Sequence, residues 1–200
     1  MCGRYFIDIG DAELSRLVSA AGRRAAVKTG EIFPSDTAAV IANSRSLRPA
    51  VFPMRWGFER PGGGLVINAR SETASQKSMF RESSRLRRCL VPASFYFEWG
   101  HGPGAKVKYE LYPERSGIVY LGGLYTIDAS GVPRFVILTR EASPGTAFIH
   151  DRMPVLVPPG RCGDWLSQRF TLDELLDAAE TGLCFRPAPA EENKTAGLES

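Results

Sequence analysis

Four β-rich segments dominate the middle of the chain: Leu90–Trp99, Val107–Tyr112, Ile118–Ile127 and Pro133–Thr139, each bounded by turn residues. Short apolar stretches at Ala38–Ala42, Pro49–Phe58, Val155–Val157 and Leu183–Phe185 read as further strands, with a loop at Pro61-Gly62-Gly63-Gly64. Helices are fewer. Asp11–Ala21 is amphipathic, with Leu14, Leu17 and Val18 on one face and Gly22 as its stop. Thr73–Arg87 lacks Gly and Pro and carries Met79, Phe80 and Leu86 for an inward side, and Arg161–Ala179 holds one or two more helices. Strands outnumber helices and do not alternate with them, which disfavours a doubly wound parallel sheet. The expected fold is α+β: curved, mainly antiparallel sheets forming a barrel- or sandwich-like core with flanking helices. Residues 1–187 form one domain, followed by a polar C-terminal tail over 188–200.

Several function classes fall away on what the chain lacks. No stretch approaches the eighteen apolar residues of a membrane span, and the start has no secretory signal, so the expected location is the reducing cytoplasm. The four cysteines at 2, 89, 162 and 184 form no Cys-x-x-Cys pair, and only His101 and His150 could add imidazole ligands. No metal is expected. The 62–64 glycine triplet fits neither nucleotide-binding fingerprint, so no cofactor is expected either. The net charge is +3, but residues 171–200 sum to −5 and leave +8 on the rest. Arginine, suited to forked phosphate recognition, supplies most of the basic residues, but on charge alone a solvated surface is the favoured account of the excess.

Four stretches can carry chemistry. Removal of Met1 by an aminopeptidase would leave Cys2 with an α-amine and a thiol on one residue. Such a pair condenses with an aldehyde to an imine and then closes a five-membered thiazolidine, helped by its tether. Read alone, Cys2 is a passive residue near a frayed terminus. Asn68 and Arg70 of Asn68-Ala69-Arg70-Ser71-Glu72-Thr73 point to one side of an extended segment, while Ser71 or Thr73 could simply cap the next helix. In Pro92-Ala93-Ser94-Phe95-Tyr96-Phe97-Glu98-Trp99, alternation puts Phe95, Phe97 and Trp99 on one face and Glu98 on the other. A lone strand Glu usually meets water; if both faces are buried, Glu98 becomes a candidate acid or base. His150, between Ile149 and Asp151-Arg152, is either a proton shuttle or a member of a surface ion network. His101, in a glycine-rich turn, reads as structural.

Together these stretches resemble one family. Met1-Cys2-Gly3-Arg4-Tyr5, Trp56-Gly57, Asn68-Ala69-Arg70-Ser71-Glu72, Pro92-Ala93 to Glu98-Trp99 and His150-Asp151-Arg152-Met153-Pro154 occur in the order of the SRAP proteins, which process abasic sites in single-stranded DNA. The resemblance implies that mature Cys2 forms a thiazolidine with the ring-opened abasic sugar, possessing lyase-type imine chemistry. Asn68 would orient Cys2, Glu98 would position or deprotonate its amine, and His150 would act as acid and base. Arg4, Arg70 and Arg152 match phosphate-holding positions, Trp56 an aromatic wedge against the bases, Pro34 a residue lining the site and Thr139 a polar contact near it. The chain departs from the family at Phe95, where glycine is usual. The implied partner is abasic single-stranded DNA, bound by a monomer. Two alternatives are a cysteine peptidase that processes its own N-terminus, using the same residues, and a non-catalytic single-stranded DNA-binding module.

Overall fold

The computed structural model describes residues 2–100, 106–114, 117–177, 179 and 182–189; His101 lies outside them. In its first half the chain runs β1 (Arg4–Ile7), α1 (Ala12–Gly22), β2 (Gly30–Ile32), β3 (Thr37–Asn43), β4 (Pro49–Trp56), β5 (Phe58–Glu59), β6 (Leu65–Val66) and β7 (Asn68–Arg70). Two short helices, α2 (Ser71–Ala74) and α3 (Ser78–Leu86), lead into β8 (Arg88–Ala93), β9 (Phe95–Gly100), β10 (Val107–Pro113), β11 (Val119–Ile127) and β12 (Pro133–Glu141). The described chain closes with β13 (Arg152–Pro154), α4 (Cys162–Leu166), α5 (Leu172–Leu176) and β14 (Leu183–Pro187). No helix among the described residues is long and apolar enough to cross a membrane.

Two sheets carry the architecture. The smaller is antiparallel throughout, in the order β14-β10-β9-β1-β2. The larger runs β11-β8-β3-β4-β12, and β12 pairs back onto β11, so the sheet comes round on itself; β7 and β13 extend it along β12. The expected α+β architecture of curved, mainly antiparallel sheets with flanking helices is the one observed.

Alternation along the larger sheet feeds two cores. Cys89, Val91 and Ala93 of β8, with Phe135 and Ile137 of β12, face an inner core shared with Tyr5, Ile7, Tyr96 and Leu111 of the smaller sheet. Leu90, Val136 and Leu138 face outward against Phe80, Trp165, Leu172 and Leu175 from the helices. Strands covered on both faces read as continuous apolar runs rather than as alternating ones. Trp165 is the outer core's largest side chain, and its indole N–H donates to Cys89 O at 2.9 Å. It lies so close to Gly122 that a Cβ there would stand 2.5 Å from its ring.

The structure refines three expectations. Leu90–Trp99 is not one strand: it crosses between sheets at Ser94, whose N–H donates to Phe6 O and whose hydroxyl accepts from Asp8 N–H at 2.9 Å. The helix expected over Thr73–Arg87 breaks after Ala74. Ala74 and Phe80 both sit in the outer core, and a continuous helix would point two residues six apart about 120° away from each other. The strand expected at Val155–Val157 lies at Arg152–Pro154, with Leu156 adding a single bridge to Leu121. At α1 the reading holds: Asp11 Oδ1 accepts from Glu13 N–H and Leu14 N–H, both at 2.9 Å, and Leu14 is buried.

Candidate active site

Cys2 stands just before β1 and is fully buried. β1 and β9 pair antiparallel, Arg4 with Phe97 and Tyr5 with Tyr96, so the next step along the ladder brings Gly3 toward Glu98. From the larger sheet, Asn68 at the start of β7 donates its Nδ2 to Cys2 O at 2.9 Å. Cys2 is thereby held from one sheet and faced from the other by a carboxylate. Its thiol points to Arg4 O, 3.7 Å away. Burial pushes the thiol pKa well up and the nearby Glu98 charge pushes it further, so the resting sulfur is protonated. Tyr5 and Tyr96 close the same chamber, their hydroxyls also held neutral, chiefly by burial.

Glu98 is 5% exposed, so the reading in which a lone strand Glu meets water gives way to burial on both faces. It shares the inner face of the smaller sheet with Tyr96, under the roof of the larger one. Two polar atoms of this chamber, Asn68 Oδ1 and Tyr5 Oη, are buried and have no hydrogen-bond partner among the described residues.

His150 ends a loop closed by Ala142 N–H donating to Asp151 O, and Ile149 beside it is buried in the same inner core as Cys2. Nδ1 accepts the Arg152 backbone N–H at 3.0 Å, which in neutral imidazole puts the ring proton on Nε2. Asp151 Oδ1 stands 2.6 Å from the same nitrogen, a contact suited to the protonated ring. The imidazole therefore has an anchor in either charge state.

The remaining expected residues divide. Arg152 forks onto Glu72 with contacts of 2.7 and 2.9 Å and donates to Thr139 O at 2.7 Å. Thr139 is fully buried, with its hydroxyl 3.5 Å from Ala69 O. This fork lowers the Glu72 pKa, chiefly through the hydrogen bond from Arg152. Arg4 pairs with Glu31 at 3.1 Å and lies over the rings of Phe33 and Trp99, 4.6 and 5.0 Å from their centroids. Pro34 is half-buried in the turn that follows Phe33. Arg70 is exposed and joins no ion pair among the described residues. Trp56 is fully buried, stacked 6.0 Å from Phe135 and donating its indole N–H to Ile67 O at 2.9 Å, so the structure places the expected wedge residue in the core rather than on the surface. The helix entry after Arg70 also lacks the expected cap, because neither Ser71 nor Thr73 caps α2 with its side chain.

The family described as SOS response associated peptidase (SRAP) matches residues 1–194. The chain belongs to the SRAP family. Relatives named abasic site processing proteins include YobE of Bacillus subtilis, 29% identical over 158 residues, covering 74% of this chain and 72% of that protein. YoqW of Bacillus subtilis is 27% identical over 194 residues, covering 89% of this chain and 85% of its own. YedK of Escherichia coli is 28% identical over 139 residues, covering 65% and 61%. A crystal structure of a protein from Bacteroides thetaiotaomicron shares the fold, with a TM-score of 0.74 at 22% identity over 93% of this chain and 91% of that one.

Beside its buried chamber this SRAP domain has a basic groove of about 500 Å³. Asn68 and Arg70 line it together with Arg60, Lys77, Met79 and Phe80. The extended reading of Asn68 and Arg70 placed those two on one side; Arg60 and Lys77 join them only through the fold. Tyr5, Tyr96 and Glu72 were likewise not legible as site residues. The motif context around each was visible, but their roles depend on which strands meet.

Proposed function

We propose that this SRAP protein captures abasic sites in single-stranded DNA through Cys2 after Met1 has been removed. The observation that carries the reading is the placement of Cys2: buried, its carbonyl held by Asn68, with the Glu98 charge near enough to raise its thiol pKa. Because the resting thiol is protonated, the freed α-amine attacks first. It adds to the aldehyde of the ring-opened sugar, and loss of one water gives the imine. The thiol then adds to the imine carbon as its proton passes by way of Glu98 to the ring nitrogen, closing the thiazolidine. Asn68 fixes the Cys2 backbone so that both nucleophiles reach one carbon. His150, anchored in both charge states, serves ring opening and dehydration as acid and base.

The basic groove supplies sequence-independent affinity for the strand, with Arg70, Arg60 and Lys77 as phosphate partners, and Arg4 and Arg152 would add phosphate contacts beyond it. Arg152 can hold a phosphate only by exchanging Glu72 for it, so in the free protein it chiefly orders the loop that presents His150. Pro34 and Thr139 shape the walls.

The test is intact mass after incubation with a single-stranded oligonucleotide bearing one abasic site. The expected product survives heating in denaturant and weighs protein plus oligonucleotide less one water. An intact oligonucleotide of the same sequence gives none, and equal adduct with both would overturn the reading. The peptidase in the family's description supports a second reading, in which Cys2 severs the bond before it. In a host lacking methionine aminopeptidase the capture reading expects Met1 to remain; its loss there would favour self-cleavage.

A further inference from the structure

Phe148, two residues before His150, is 59% exposed, and Phe185 on the edge strand β14 is 41% exposed. Large aromatic side chains seldom stay in water without a use, and these two are not scattered. Their centroids lie 5.1 Å apart, and each meets Tyr109 edge-on, at 6.4 Å for Phe148 and 5.9 Å for Phe185. Edge-to-face contact is a favourable pairing that can leave ring faces free. Tyr109 is the register partner of Glu98 on β10, and its ring lies across Gly100, where a Cβ would stand 2.9 Å away. The backing of the cluster is therefore built into the strand pair that carries the carboxylate.

The outward turn of Phe148 is built rather than frayed. Ile149 N–H donates to Thr146 O at 2.9 Å, Thr146 N–H donates to Ser143 O at 2.9 Å, and Ile149 is buried in the inner core. Phe148 and His150 line one surface depression of about 300 Å³. The cluster is thus continuous with the candidate site on the smaller-sheet side, as the basic groove is through Asn68 on the larger-sheet side. Two exposed rings are far too small for a stable protein interface, which needs roughly 1,000 Å². One unpaired base is of their scale, and base stacking on aromatic rings is sequence-tolerant, as an abasic-site reader requires.

We propose that Phe148 and Phe185, backed by Tyr109, form a stacking platform for the nucleobase adjacent to the captured sugar. The proposal rests on the abasic-DNA reading above. Its test uses single-stranded oligonucleotides carrying a tetrahydrofuran in place of the abasic sugar, which has no aldehyde and forms no adduct, with 2-aminopurine on the 5′ or the 3′ flank. Bound to the unaltered protein, the probe is expected to be quenched with 2-aminopurine on one flank. Phe148→Ala should relieve the quench and weaken binding about 5- to 100-fold. Phe148→Trp should restore both, and Phe148→Leu, which keeps apolar bulk but no ring, should not. Quenching that is absent on both flanks, or unchanged in Phe148→Ala and Phe185→Ala, overturns the platform. Failure of the underlying reading shows separately, as absence of adduct between the unaltered protein and a true abasic oligonucleotide.

Discussion

Cys2→Ala is expected to lose the heat-stable adduct with abasic single-stranded DNA entirely, because it removes the atom that closes the ring. The alanine variant keeps an α-amine, so an imine can still form, but imines hydrolyse on heating. Borohydride, which reduces an imine to a stable amine, should therefore recover an adduct from Cys2→Ala, while the unaltered protein yields one without reductant. This pair of results separates the two nucleophiles of one residue. The side chain is fully buried, so the alanine variant loses some packing; thermal melting of both proteins shows whether the fold survives. Undiminished heat-stable adduct in a folded Cys2→Ala protein would reject the thiazolidine. A chain blocked from losing Met1 should behave worse than either. Its Cys2 nitrogen is an amide, so no imine forms at Cys2 and no thiazolidine can close there. The raised thiol pKa fits this order: an acidic, exposed thiolate could attack an aldehyde on its own, whereas a protonated sulfur adds once the amine has formed the imine.

How much of this was legible in the sequence depends on what set each feature. Helix α1 could be read because its cap, its apolar stripe and its stop are all local. The bend at Ser94 could not, because it exists only where two sheets share one stretch of chain, and residues on either side of it are equally apolar. The same sharing defeats the alternation argument for Glu98. Alternation assigns faces correctly but cannot say that both faces are covered, which is a property of the larger sheet closing over the smaller. Trp56 shows the converse. Its place as an aromatic wedge was implied by motif resemblance alone, yet Tyr5 and Phe135 bracket the ring in the core. Family motifs located Cys2, Asn68, Glu98 and His150 at their places in the chain. Motifs carry no distances, however, so the coupling of Arg152 to Glu72 and the meeting of Arg60 and Lys77 with Arg70 required the fold.

Arg88→Met is expected to cost about 3–5 kcal/mol of folding stability, from several buried carbonyls left unmet at roughly 1–3 kcal/mol each, a large share of the 5–15 kcal/mol typical of a single domain. In sequence Arg88 is one of three arginines close together at the end of α3, indistinguishable from Arg85 or Arg87. In the structure it is 5% exposed and spends its guanidinium on four backbone carbonyls: Trp165 O at 2.7 Å, Ser84 O and Phe170 O at 3.0 Å each, and Ser167 O. No carboxylate pairs with it among the described residues. Ser84 and Trp165 lie in the last turns of α3 and α4, where carbonyls have no helical partner and a cation is favoured. One side chain thus satisfies the ends of two helices and the loop between α4 and α5, fixing the layer that covers the outer core. Methionine fills comparable volume but leaves those acceptors buried and unmet. Lysine keeps the charge yet cannot reach several directions at once, so Arg88→Lys should recover only part of the loss. Exposed Arg85 is the control, and Arg85→Met should stay within about 0.5 kcal/mol of the unaltered protein. The measurement is the urea midpoint at constant slope. If Arg88→Met unfolds as late as Arg85→Met, the carbonyls are met by water, and the guanidinium is not what holds the helical layer to the sheet.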